Sequence, residues 1–102
     1  MYGTVAYVKV QPGKEEEFVA TGTAWSRERG DQTGQVAEYL FKLDEGSGAY
    51  CLVGIFRDRE TYRANAADPE TDRWYQKLRA TLVAGPEWHD GEVVQSAMLS
   101  GI

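Results

Sequence analysis

The eight residues Ala49 to Phe56, AYCLVGIF, carry no charged side chain. A stretch of strand length, rich in Tyr, Val, Ile and Phe and lacking a polar face, predicts a strand covered on both sides and therefore central in its sheet. The residues before it, QVAEYLFKL and DEGSG, supply an alternating run and a turn, with Ala37, Tyr39, Phe41 and Leu43 on one face. Together they predict a β-hairpin.

The flanking segments fill in the rest of the order. Gly3 to Val10 alternates in strand fashion, with Thr4, Ala6, Val8 and Val10 on one side and Val5, Tyr7 and Lys9 on the other. QPGKEEEF then brings Pro12 and Gly13 as breakers and three acids into a first helical turn. Phe18, Gly22, Trp25 and Arg29 follow at helical spacing, and the helix is predicted to end near Gly30. After the hairpin, Asp58 can cap a helix with Tyr62, Asn65 and Ala66 on one face. At DPETD a second Asp cap precedes Pro69, and Thr71, Trp74, Tyr75, Leu78 and Leu82 form a stripe closed by Gly85 and Pro86. EVVQSAML is the predicted fourth strand.

Strand, helix, strand, strand, helix pair, strand is the order of an α+β fold of the ferredoxin-like, split βαβ kind. A four-stranded antiparallel sheet then carries its helices on one face. A chain of 102 residues with 42% apolar and 26% charged residues has the composition of one compact domain, predicted over residues 1–102. One sheet face is left without a cover. Strands two and three place Val36 and Leu40, with either Tyr50, Leu52 and Phe56 or Ala49, Val53 and Ile55, on that side. A second copy packed sheet to sheet is the expected cover, giving a homodimer.

Several function classes are disfavoured. The formal charge of −5 and the scattered Lys and Arg argue against nucleic acid and anionic membrane as partners. No apolar run approaches a membrane span, and MYGTVAYVKV lacks the features of a signal peptide, so the expected compartment is the cytoplasm. One cysteine, Cys51, and one histidine, His89, cannot supply a four-ligand zinc set, and no metal site is predicted. Cys51, between Tyr50 and Leu52, reads as an inert buried thiol.

Three stretches, VKVQPGKEEEF, GIFRDRETYRANAADPE and WHDGEV, make the chain resemble the antibiotic biosynthesis monooxygenase superfamily of dimeric α+β barrels. The resemblance implies a sheet-to-sheet dimer. In its cofactor-free members it also implies oxidation of a small aromatic, anthrone or quinol, by dioxygen without metal or flavin. Such members have an aromatic at the end of the third strand, an acid or Ser cap, and an aromatic on the next helix with His three positions on. Phe56, Asp58, Tyr62 and Asn65 occupy these places, so Phe replaces the usual Trp and Asn the usual His. A haem-cleaving branch needs an Asn on the first strand, a Trp at the third-strand end and a helix His, none of which is in place here.

On this basis the candidate catalytic residues are Tyr62, Asn65 and His89, with Tyr7, Trp25, Tyr39, Phe56 and Trp74 as substrate-binding residues and no cofactor. Each has a structural reading beside the functional one. Tyr62 could hydrogen-bond a substrate hydroxyl or cap the core, and Asn65 could stabilise an anion or serve the helix end. Trp25 and Trp74 lie on stripes that read equally as core. Tyr7 and Tyr39 could face either the pocket or the dimer interface. His89 is the natural general base by pKa, but Asp-Gly after it reads as a turn, and it is a site residue only if it faces Tyr62 and Asn65. The rival functions are a non-catalytic ligand-binding or purely structural dimer, and an isomerase, lyase or decarboxylase that would need His89 in the cavity.

Overall fold

A computed structural model describes residues 1–100. The first strand, β1, spans Tyr2–Lys9, and the first helix, α1, spans Glu15–Arg29. A short 3-10 turn over Gly30–Gln32 leads to β2, Gln35–Lys42, and β3, Ala49–Phe56. Helices α2, Arg59–Ala67, and α3, Pro69–Arg79, precede β4, Glu87–Glu92. The sheet order is β2-β3-β1-β4 with every neighbouring pair antiparallel, so β3 and β1 are central as the uncharged third strand predicts.

Local chemistry accounts for the helix boundaries. Glu15, Glu16 and Glu17 occupy the first turn of α1 and Arg27 and Arg29 its last, both matched to the helix dipole. Asp58 caps α2, its Oδ1 accepting from the Thr61 backbone N–H and from the Thr61 hydroxyl, both at 2.7 Å. These bonds hold the Asp58 carboxyl below its ordinary pKa. Asp68 caps α3 through Glu70 N–H at 2.9 Å, with Pro69 in the first turn. Gly34, at φ 75°, connects the 3-10 turn to β2 where a side chain would run into Thr61 on α2.

The helices lie over one sheet face, and the core forms between them. Val8, Val10, Phe18, Tyr50 and Leu82 are buried together, with Leu40, Leu52 and Leu78 packed against them. Phe18, 1% exposed, is the anchor of α1, its ring 5.0 Å from that of Tyr50. The Tyr50 hydroxyl leaves the core by donating to Glu15 Oε2 at 2.9 Å. Burial, and then Glu15, push its pKa up.

Three expectations are corrected. The fourth strand is Glu87–Glu92, not EVVQSAML; residues 93–100 have no regular secondary structure, and Val94, Met98 and Leu99 are exposed. β4 is an edge strand paired with β1 from Tyr7–Glu87 to Tyr2–Glu92, and Val93 N–H to Met1 O is the last backbone bond between the two segments. Leu82 does not continue the α3 stripe. The helix ends at Arg79, and Leu82 bridges Val10 while Val83 N–H donates to Lys9 O, so the chain turns from helix directly onto the end of β1.

The helix-free face is also composed differently. Leu40 packs against the core, and a register shift between Gln35 and Ala37 sets Val36 outside the regular pairing. Register then aligns Ala37, Tyr39 and Phe41 with Ile55, Val53 and Cys51, and these with Gly3, Val5 and Tyr7. On this side Tyr39 is 58% and Phe41 54% exposed.

Candidate functional site

Between the helix-bearing face and the three helices lies a cavity of about 530 Å³. Its floor comes from the sheet, with Thr4 on β1, Gly54 and Phe56 on β3, Gln35 and Glu38 on β2, and Trp88 and Asp90 on β4. Its walls come from Gly22 and Trp25 on α1, Tyr62 and Asn65 on α2, and Thr71, Trp74 and Tyr75 on α3. Part of each helical stripe read from spacing, Gly22 with Trp25, Tyr62 with Asn65, and Thr71, Trp74, Tyr75 with Leu78, therefore lines the cavity. A smaller cavity of about 330 Å³ adjoins it, sharing Gly22, Glu38, Leu52 and Leu78.

The aromatic rings are held by one another. Tyr62 packs at 5.3 Å on Phe56 and at 5.3 Å on Tyr2, Trp25 meets Trp74 edge-on at 6.2 Å, and Tyr75 meets Trp88 at 6.2 Å. Arg29 stacks on Trp25 and Lys77 on Trp74. Arg29 also ties α1 to the α3 cap, pairing with Asp68 at 2.8 Å.

Polar groups are few and mostly partnered. The Tyr62 hydroxyl donates to Asp90 Oδ1 at 2.9 Å. Burial first, and then the Asp90 carboxylate, push the Tyr62 pKa up to about 12, with Thr4 acting in the opposite sense. Near neutral pH Tyr62 is thus a neutral hydroxyl whose proton points at Asp90 and whose lone pairs remain for another donor. Asn65 Oδ1 accepts from Thr71 at 2.8 Å, which orients its amide, and the Trp25 indole donates to Gln35 Oε1 at 3.4 Å.

Tyr62, Asn65, Phe56, Trp25 and Trp74 are thus brought together. Tyr7, Tyr39 and His89 are not, because they lie on the other side of the sheet. His89 pairs with Val5, its ring is edge-on to Tyr7 at 6.0 Å, and its Nε2 meets Glu87 Oε1 at 2.9 Å. The condition for His89 as a base, a shared face with Tyr62 and Asn65, is not met. The physical reason is strand alternation: in β4 Trp88 and Asp90 reach the cavity, and the residue between them points away. The proton-transfer rival that required His89 in the cavity loses its support.

Asp90, Trp88, Gln35, Glu38 and Asp72 are lining residues that the sequence reading missed. For Trp88 and Asp90 the missing signal was the strand itself. WHDGEV read as a period-two strand puts both on one face, whereas Asp-Gly read as a turn hides the alternation.

A four-stranded antiparallel sheet with helices on one face and an aromatic cavity between the layers defines an α+β ferredoxin-like protein, consistent with its structural relatives. The family model for antibiotic biosynthesis monooxygenase matches residues 1–77, and the chain belongs to that family. Among solved structures it is similar to SnoaB from Streptomyces nogalater, described as a cofactor-independent oxygenase, with 20% identity and a TM-score of 0.80 over 93% of this chain and 94% of that one. It is also similar to Rv0793 from Mycobacterium tuberculosis, with 14% identity and a TM-score of 0.78 over 95% and 98% of the two chains. A conserved protein from Methanosarcina mazei shows 16% identity and a TM-score of 0.78 over 88% and 89%. No curated protein matches the sequence significantly. Among the described residues no helix is long and apolar enough to cross a membrane, and no group of three or more His, Cys, Asp or Glu is placed to hold a metal ion.

Proposed function

We propose that the protein is a cofactor-independent monooxygenase that oxidises a small electron-rich aromatic or quinol-type substrate in the cavity between sheet and helices. The observation that carries this reading is the placement of the Tyr62 hydroxyl, backed by Asp90 at 2.9 Å, inside an aromatic cavity of about 530 Å³. Family membership and the description of SnoaB as a cofactor-independent oxygenase support it. In this scheme a substrate hydroxyl donates to the Tyr62 oxygen, and proton removal can run through Tyr62 to Asp90 as the substrate gives an electron to dioxygen. For an anthrone-type substrate the ring CH₂ carbon loses two hydrogens and gains one oxygen atom. The second oxygen atom leaves with those hydrogens as water. Asn65 serves as donor to the substrate carbonyl, while Phe56, Trp25 and Trp74 hold the rings.

Oxygen consumption by metal-depleted protein with a panel of anthrones and quinols tests the reading. Uptake that falls in Tyr62→Phe and Asn65→Ala is expected; no uptake, or uptake unchanged in both variants, overturns it. A second reading, a non-catalytic binder of the same ligands, is favoured by one observation, the presence of Phe56 and Asn65 where catalytic relatives were expected to carry Trp and His. It predicts ligand binding without uptake.

We infer further that the helix-free sheet face packs on a second copy of the chain. Exposed Tyr39, Phe41 and Tyr7 surround half-buried Val5, Val53 and Ile55, an apolar surface continuous across three strands. Tyr7, Tyr39 and His89, which lie outside the cavity, belong to this surface and are assigned to the interface.

A further inference from the structure

The charge of the cavity narrows the ligand class, and the following rests on the reading of that cavity as an aromatic-ligand site. Glu38, Asp72 and Asp90 line it from β2, α3 and β4, and among the described residues no Lys, Arg or His does. None of the three acids is ion-paired among the described residues. They do not form a cation site either, since no three carboxylates converge among the described residues. Lys77 and Arg29 stack on the indoles of Trp74 and Trp25 without themselves lining the space.

The hydrogen-bond census points the same way from separate observations. Several of the lining's donors are engaged within the protein: Tyr62 on Asp90, Trp25 on Gln35, Thr71 on Asn65, and Thr21 on the Glu17 carbonyl. Glu38, Asp72 and Asp90 each accept one protein hydrogen bond, from Ser26, Gln76 and Tyr62, and their carboxylates keep further lone pairs for a ligand. A ligand hydroxyl can donate to these as a charge-assisted bond, whereas a ligand carboxylate would meet like charge with no lining cation to compensate it.

We propose that the cavity selects aromatic ligands by charge, taking neutral hydroxylated rings in their protonated form and turning away rings that carry a carboxylate. A ligand hydroxyl donates to the lining carboxylates, and Asn65 donates to a ligand carbonyl. Substituents on a natural substrate are then hydroxyl, carbonyl or alkyl groups, not free acids. A phenol in this site stays protonated until oxidation begins.

Calorimetric titration of the full chain at pH 7 and low salt with 2-naphthol and 2-naphthoate, which share a ring system and differ in charge, tests this directly. The naphthol is expected to bind at least roughly tenfold more tightly than the carboxylate. That preference should shrink at high salt and in Asp90→Asn and Glu38→Gln, two neutral substitutions of similar shape. Equal or tighter binding of the naphthoate overturns the charge selection and leaves the oxygenase reading standing. Naphthol preference without oxygen uptake by any substrate supports the charge selection and removes the oxygenase reading. If neither ring binds, the charge selection is overturned, and oxygen uptake decides the oxygenase reading separately.

Discussion

Gly22 sits in the middle of α1, where a glycine is ordinarily unfavourable, and its replacement separates two roles for the position. A Cβ built there meets nothing within 4 Å, so Gly22 is not required for close helix packing; it borders the cavity instead. Replacing a helix-interior Gly by Ala gains about 0.5–1 kcal/mol from backbone entropy alone. With no clash to offset that gain, Gly22→Ala should raise stability by this amount, or roughly 2–8 °C in melting temperature for a domain of this size. Gly22→Phe should keep the fold but direct a ring into the cavity. Ligand affinity should then fall at least tenfold, equivalent to about 1.4 kcal/mol. Thermal denaturation by circular dichroism reads the first effect and calorimetric titration with 2-naphthol the second. A destabilised Gly22→Ala would refute the open space at this site. Unchanged affinity in a folded Gly22→Phe would refute a ligand position against α1.

Three further predictions concern proton, cap and interface. In an alkaline titration followed by tyrosinate absorbance, Tyr62→Phe should remove a step near pH 12, and Asp90→Asn should bring that step down toward the ordinary value of 10. The folded chain holds this proton after the unfolded chain has released it. Stability should therefore be full below about pH 10 and fall as pH rises toward about 12, with Tyr50 contributing in the same sense. A stability profile that is flat or rising across that window in chemical denaturation would contradict the assignment. Asp68→Ala removes the α3 cap and leaves Arg29, already holding a buried unpartnered Nε, without its carboxylate. A cost of about 1–3 kcal/mol is expected in urea denaturation, with Asp68→Asn milder because it can still cap. Phe41→Lys should convert a wild-type dimer to monomer in sedimentation velocity at micromolar concentration, and a monomeric wild type would dispose of the interface.

Much of the architecture was legible because its signals are local. The uncharged run Ala49–Phe56 matched β3 at both ends, and the Asp58 and Asp68 caps opened α2 and α3 where their chemistry placed them. The cavity walls were legible for the same reason. Helical spacing alone put Tyr62 with Asn65 and Trp74 with Tyr75, whatever they packed against. Features decided by pairing were harder to read. Whether a β4 residue faces cavity or open sheet depends on register with β1, and a shift of one residue exchanges Asp90 for His89. The apolar run after Val93 resembles a strand, but among the described residues the pairing with β1 stops at Tyr2–Glu92. Leu82 fits the α3 stripe by spacing, yet bridging to Val10 draws it out of the helix.

Oxidation of an aromatic substrate by dioxygen at the Tyr62 cavity can be followed by isotope tracing. Metal-depleted protein is incubated with an anthrone under ¹⁸O₂, and the product is analysed by mass spectrometry. One labelled oxygen atom per quinone formed is expected, with label incorporation slowed in Tyr62→Phe. Product oxygen drawn from water, or the same labelled yield with and without protein, would contradict it.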